Sequence, residues 1–340
     1  MNALILHPIN STNLGDKIIL EGTKSLLHEV FADLNKTYID LEVFEDWNSP
    51  IFQIADLCVI SGTPWIWDKC HQSKKYQRLD HLLRALPKKT KKVALGIGSC
   101  FPWATNVLDV YVYQKDDNGV YEITRLHTRD HLRKIFSSFD LVTTRDRLAF
   151  NILRKLDIHA FDCICPAAHI EIPQHFYKKE SQEPLLVFLN PHDGVSHESC
   201  DKIFMDDFIQ FEKWFKDKYS PDVITMDSLD RDWCLGQGWE KVEWVREIPR
   251  FLEIVSQSSF VISGRVHATI PARLLGKRAY ILPWDTRYLT AVRLGAIPIL
   301  TSSDLDWWMY DLGPQEDTLN KVKEVVTADR NFVLDKLRNL

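Results

Sequence analysis

In the segment Ser263-Gly264-Arg265-Val266-His267 a guanidinium and an imidazole stand two residues apart. Such a pair can hold an anion and move a proton near neutral pH. Five other short segments carry comparable groups. Asn13-Leu14-Gly15-Asp16 joins a carboxylate to a turn-forming glycine, and either Asn13 or Asp16 could cap a helix whose first amides hold an anion. Thr144-Arg145-Asp146 offers a second guanidinium, suited equally to a ligand and to an ordinary ion pair. Trp284-Asp285-Thr286-Arg287 adds a carboxylate, either a base or an orienting partner for Arg287. The Gly62 turn in Ser61-Gly62-Thr63-Pro64-Trp65-Ile66-Trp67 and the pair in Gly96-Ile97-Gly98-Ser99-Cys100 mark tight turns or close backbone approach to a ligand. Trp65, Trp67 and Trp103 cluster near both, as core rings or as flat apolar faces for a sugar.

Each of these segments follows, or nearly follows, a short apolar run. Runs at 3–6, 57–60, 92–96, 139–143, 185–189, 223–226, 260–263 and 279–282 read as strands. They are unbroken rather than alternating, which predicts parallel sheets covered on both faces. Helical spacing at 16–31, 79–86, 145–155, 206–218, 248–257 and 268–275 completes the rhythm of an α/β fold. In open sheets of this class ligands bind outside the carboxyl ends of the strands, which is where the six segments fall. A polar, proline-bounded linker at 174–184 separates two such series. The prediction is therefore two doubly wound Rossmann-like domains, 1–175 and 185–317, facing a cleft, with a helix at 318–340 packing back near the hinge. Lys115-Asp116-Asp117-Asn118-Gly119 predicts a surface hairpin at 111–121.

Composition narrows the function. With 42 Lys+Arg against 47 Asp+Glu the net charge is -5, which argues against nucleic-acid binding through a basic field. Any anionic ligand must be held by a few local cations. No apolar run reaches the roughly 20 residues of a membrane-spanning helix. The N-terminus has no basic segment ahead of a long apolar one, so a cytoplasmic protein is expected, at most peripheral to the inner face of a membrane. Seven scattered cysteines (Cys58, Cys70, Cys100, Cys163, Cys165, Cys200 and Cys234) suit reduced thiols. Cys163-x-Cys165 lacks a second pair, and no metal is expected. Phe101 occupies the third glycine position of G-x-G-x-x-G, and no Walker A loop occurs, which argues against nicotinamide cofactors and P-loop ATP chemistry.

The ordered set of segments, from about residue 10 to residue 290, resembles the polysaccharide pyruvyl transferase family. The resemblance implies a GT-B-like architecture and a transferase moving an enolpyruvyl-derived group from phosphoenolpyruvate to hydroxyls of a glycan or lipid-linked saccharide, where it forms a pyruvate ketal. No cofactor is implied. Arg145, Arg265 and His267 fall on the family's donor-binding and catalytic positions. The donor site is then expected to comprise Arg145, Ser263, Gly264, Arg265 and Arg287, with His267 as the acid that protonates C3 of the donor and Asp16 or Asp285 as base. The acceptor is expected on the N-terminal side, at Asn13, Gly15, Gly62, Trp65, Trp67, Gly98 and Trp103. The chain departs from the family pattern at the Gly62 turn, which lacks a run of glycines, and at Val266 and Arg287, where leucine and lysine are usual. Two other functions suit the same residues: a GT-B-like glycosyltransferase using a nucleotide sugar, and a non-catalytic glycan-binding protein of the same fold.

Overall fold

The computed structural model describes residues 1–44, 46, 49–67, 70–100, 114–115, 121–122, 126–178, 184–188, 222–240, 242–282, 285–299 and 315–340. The first half runs through β1 (Asn2–Leu6), α1 (Leu14–Val30), β2 (Asn35–Ile39), β3 (Leu57–Ser61), β4 (Pro64–Ile66), α2 (Lys74–Ala85) and β5 (Lys91–Ser99). It continues through β6 (Gln114–Lys115), β7 (Tyr121–Glu122), α3 (Leu126–Phe136), β8 (Leu141–Thr144), α4 (Arg147–Lys155) and β9 (Phe161–Asp162). The second half comprises β10 (Leu185–Phe188), β11 (Asp222–Thr225), α5 (Ser228–Gly236), β12 (Val242–Trp244), α6 (Ile248–Gln257), β13 (Phe260–Ser263) and α7 (Val266–Leu274). It ends with β14 (Arg278–Ile281), α8 (Tyr288–Val292), β15 (Ile297–Pro298) and α9 (Gln315–Arg338).

Both large sheets are parallel throughout their described pairings, so the chain is α/β and doubly wound, as its apolar runs predict. The first has the order β2-β1-β3-β5-β8-β9, with β4 attached to the end of β5. The second has the order β12-β11-β10-β13-β14-β15. In each sheet the order reverses beside the first strand, and that switch point opens a crevice between the diverging loops. The expected hairpin also forms, Gln114 pairing with Glu122 and Lys115 with Tyr121 in antiparallel register.

Alternate residues of the first sheet serve different cores. Ala3, Ile5, Leu57, Val59, Val93 and Leu95 point to one face, and Leu4, Leu6, Cys58, Ile60 and Ala94 to the other. Both faces are dry, which explains the unbroken apolar runs. Two helices then tie the halves together. In α1, Leu14, Ile18 and Ile19 enter the core of the second half while Leu26 and Leu27 pack beneath the first sheet. In α9, Val322 reaches the second core, and Val333, Leu334 and Leu337 complete the first. At the start of the 174–184 stretch, Gln174–Lys178 forms a 3-10 turn, and Phe176 is buried in the second core. The helix expected at 206–218, Cys200 and Trp103 lie outside the described residues. Among the described residues no helix is long and apolar enough to cross a membrane.

Gly22 of α1 lies hard against the backbone of Pro166 and Ala167. A Cβ there would sit 1.8 Å from the Pro166 carbonyl oxygen. Alanine normally improves a helix interior by roughly 0.5–1 kcal/mol over glycine. Gly22→Ala is expected to do the reverse, lowering stability by about 3 kcal/mol or more because α1 must leave its seat. A urea midpoint equal to or above that of the parent would show that this contact is loose.

Candidate active site

The carboxyl end of β1 and the carboxyl end of β13 face each other across a cleft of about 500 Å³, counting its open mouth. The first half contributes Asn13, Asp16, Pro64 and Arg145, and the second contributes Gly264, Arg265, Val266, His267, Leu282, Asp285, Arg287 and Tyr288. The two switch points thus build one site.

Arg145 leaves the end of β8 fully buried. Its Nη1 lies 3.3 Å from His267 Nε2, while Nε and Nη2 have no hydrogen-bond partner and Arg145 makes no ion pair among the described residues. A guanidinium can only donate, so at this contact Nε2 is the acceptor and the ring is neutral, with its proton on Nδ1. The neighbouring carboxylate is engaged elsewhere. Asp146 caps α4 through Ala149 N at 2.7 Å and accepts both the amide and the hydroxyl of Ser99.

The glycines make this geometry possible. A Cβ at Gly98 would meet Arg145 Nε at 2.3 Å, and one at Gly15 would meet His267 Nδ1 at 2.9 Å. Gly96 has φ of +68° and gives way to the Pro166 ring. Gly62 crosses the Leu95 and Gly96 carbonyls, so it shapes the sheet and does not line the cleft.

The remaining cations are paired. Arg265 donates from Nε and Nη2 to the two oxygens of Asp230, at 2.8 and 2.7 Å, so this edge of its fork is committed to a buried acid of α5. Arg287 Nε lies 2.9 and 2.8 Å from the Asp285 oxygens, and Nη2 reaches Oδ2 at 2.5 Å. Asp285 also accepts the Arg287 amide, and Cys100 Sγ approaches it at 3.8 Å. By contrast the Asp16 carboxylate accepts only Ser11 Oγ among the described residues, at 2.6 Å. Asn13 caps α1, its Oδ1 accepting from Gly15 N at 2.9 Å. Ser263 is buried behind the cleft, bonded through its hydroxyl to the Arg265 amide and carbonyl.

Burial, reinforced by the guanidinium groups of Arg145, Arg287 and Arg265, holds His267 well below the usual imidazole range. Burial pushes the Asp16 carboxyl up, opposed by the Ser11 bond and by the charges of Lys75, Arg265 and Arg145. The Cys165 thiol, 3.8 Å from His267 Nε2, is also raised by burial. Among the described residues no group of His, Cys, Asp and Glu is arranged to hold a metal.

Gly15, Gly62, Gly98, Trp65 and Trp67, all expected at the acceptor, do not line this cleft. Trp65 is 1% exposed, set edge-on to Tyr76 with the Lys75 ammonium over its ring. Trp67 packs on the same tyrosine at the edge of the core. Conversely, Asp230, Leu282 and Tyr288 belong to the site or its support without any local pattern to announce them.

Burial pushes His7 down to about 4. The unfolded chain takes up this proton first as the pH falls through 6.5, so the stability present above that pH is lost progressively towards pH 4. His7→Gln is expected to reduce the loss between pH 7 and pH 5 by roughly 2 kcal/mol, measured by urea unfolding. An unchanged loss would place the titration elsewhere.

Comparison with known structures confirms the architecture. The UDP-GlcNAc 2-epimerase of Methanocaldococcus jannaschii, solved with UDP-GlcNAc and UDP, superposes with a TM-score of 0.51 at 10% identity, over 96% of this chain and 99% of that one. The enzyme of the same name from Neisseria meningitidis, bound to UDP-GlcNAc, gives 0.50 at 12% identity over the whole of both chains. Both are GT-B-like, and so is the fold described here. No curated protein sequence matches the chain. Residues 13–286, which hold every residue of the cleft except Arg287 and Tyr288, match the profile of polysaccharide pyruvyl transferases, and the chain belongs to that family of transferases.

Proposed function

We propose that the chain transfers an enolpyruvyl-derived group from phosphoenolpyruvate to a saccharide, free or lipid-linked, and closes a pyruvate ketal. The observation that carries this reading is Arg145: a buried guanidinium with no ion pair among the described residues, touching the imidazole of His267. A ligand bearing a phosphate and a carboxylate would supply the charge that the protein withholds. Arg265 and Arg287, fixed by Asp230 and Asp285, add positive potential without needing to move. The first amides of α7, beside Gly264, suit a departing phosphate.

The chemistry balances with residues at hand. His267 gives a proton to C3 of the donor, making C2 electrophilic, and a sugar oxygen bonds to C2 as its proton passes to Asp16. Phosphate then leaves as hydrogen phosphate with the proton held by Asp16, and a second hydroxyl closes the ring as its proton returns to His267. Asp16 suits the base better than Asp285, whose two oxygens are clasped by Arg287. An acid must first hold a proton, yet His267 is neutral while Arg145 donates to Nε2. The trianionic donor works against that obstacle, because it draws Arg145 onto itself and sets negative charge beside a ring that burial and the guanidinium groups keep neutral. Donor binding therefore loads its own acid.

Calorimetric titration of phosphoenolpyruvate at pH 8, where the donor phosphate is already ionised, should show uptake of about one proton across buffers of different ionisation heat. His267→Asn should abolish the uptake, and no uptake in the parent would refute the loading step. In turnover, phosphate release should fall about 10²- to 10⁴-fold in His267→Ala. Arg145→Gln should raise the donor KM and lower kcat. Release of a nucleoside diphosphate from a nucleotide sugar, with none of phosphate from phosphoenolpyruvate, would replace this reading by glycosyl transfer.

A further inference from the structure

Pyruvyl transfer makes opposite demands on two groups of one cleft. His267 must gain a proton as the donor arrives, and Asp16 must stay without one until a sugar hydroxyl gives it up. A trianion beside both favours protonation of both. Arg145, Arg265 and Arg287 line the cleft, so the donor takes up their charge. A cation that keeps Asp16 ionised has to lie where the donor does not bind.

Lys75 lies in such a place. It lines a side cavity with room for about one water, and the Thr63-Pro64 turn stands between, Thr63 lining the cavity and Pro64 the cleft. The ammonium donates to Thr63 Oγ1 at 2.9 Å and rests 4.1 Å from the centre of the Trp65 ring, with no ion pair among the described residues. Beside it His7 is neutral, pushed down to about 4 by burial. Burial pushes the Asp16 carboxyl up; the Ser11 bond opposes this most, followed by the charge of Lys75, ahead of those of Arg265 and Arg145. After burial, the groups that act most on His267 are instead Arg145, Arg287 and Arg265. Glu42, Asp16 and Asp40 support the charge of Lys75 and Arg145 opposes it; burial outweighs them and pushes it down to about 8, so the ammonium is still charged at pH 7.

Ser11 completes the arrangement. Its Oγ accepts from the Asn13 amide at 3.1 Å, which leaves the hydroxyl proton for Asp16 Oδ2 at 2.6 Å. Oδ1 accepts from none of the described residues, and Asp16 lines the cleft. We propose that Lys75 and Ser11 are positioning residues for the Asp16 base. The ammonium keeps the carboxylate an acceptor beside the bound donor, and the hydroxyl occupies one oxygen so that the other meets the sugar. The inference rests on the pyruvyl-transfer reading above.

The test is a titration of the full chain labelled with carbon-13 at its aspartate carboxyl carbons, the Asp16 resonance being identified by its loss in Asp16→Asn. Asp16 should bind its proton about ten-fold more tightly in Lys75→Met and in Ser11→Ala than in the parent, while Lys75→Arg keeps it within about three-fold. The coupling is reciprocal. Asp16→Asn should therefore weaken proton binding at Lys75 by the factor that Lys75→Met produces at Asp16, followed on the lysine side-chain carbons with the signal identified by its loss in Lys75→Arg. Near-ultraviolet dichroism identifies a Lys75→Met that has lost its fold, and the reverse measurement at Lys75 then decides. An Asp16 midpoint unmoved in folded Lys75→Met or Ser11→Ala, or a Lys75 midpoint unmoved by Asp16→Asn, overturns the proposal. No phosphoenolpyruvate enters these titrations. Midpoints that move as expected, in a parent that gives no heat with phosphoenolpyruvate, sink the donor reading and leave the coupling of Lys75 and Ser11 to Asp16 standing.

Discussion

A guanidinium taken out of water without a carboxylate beside it costs several kcal/mol, and the molecule tolerates this at Arg145. Much of the surrounding structure can be understood as holding that charge in place. Gly98 has no side chain because the guanidinium lies against its Cα, and Asp146, the nearest acid in sequence, is turned away to cap α4 and hold Ser99. His267 supplies a weak acceptor that touches the charge without cancelling it. Replacing that contact with a carboxylate would make a more stable protein and a poorer receptor for an anion.

The rest of the site depends on how firmly the halves meet. The α1 helix begins with its caps in the cleft and continues into the core of the second half, so Asn13 and Asp16 are positioned by packing on both sides. Leu14 N donates to Met226 O at 2.8 Å, and Ser99 Oγ meets Thr286 Oγ1 at 3.1 Å. These contacts across the halves lie within a residue or two of the charged groups. The His267 ring can approach the start of α1 only because Gly15 leaves room for it.

The sequence announces the strands with dry faces, and with them the fold class, because an unbroken apolar run has few other uses. It is silent about Asn35–Ile39, whose residues Asn-Lys-Thr-Tyr-Ile form a half-exposed edge strand, and about Leu126–Phe136, a helix rich in charge. Strand ends brought Asn13, Asp16, Arg145, Arg265, His267, Asp285 and Arg287 into one cleft. The same rule does not separate Gly62, Gly96 or Gly98 from a glycine at a ligand, since a tight approach of backbone to a carbonyl, a proline or a guanidinium leaves the same letters. Asp230 is invisible for another reason: it sits on a helix, and only the tertiary fold decides which charge a helix brings to the other side of a sheet.

The C-terminal helix adds a constraint on biosynthesis. Val333, Leu334 and Leu337 cover the face of the first sheet made by Ala3, Ile5, Leu57 and Val59. A ribosome delivers those strands some 270 residues before the helix that shields them. The half of the molecule translated first is therefore the half whose interior closes last, and until then its nascent sheet presents an apolar surface that chaperones would recognise.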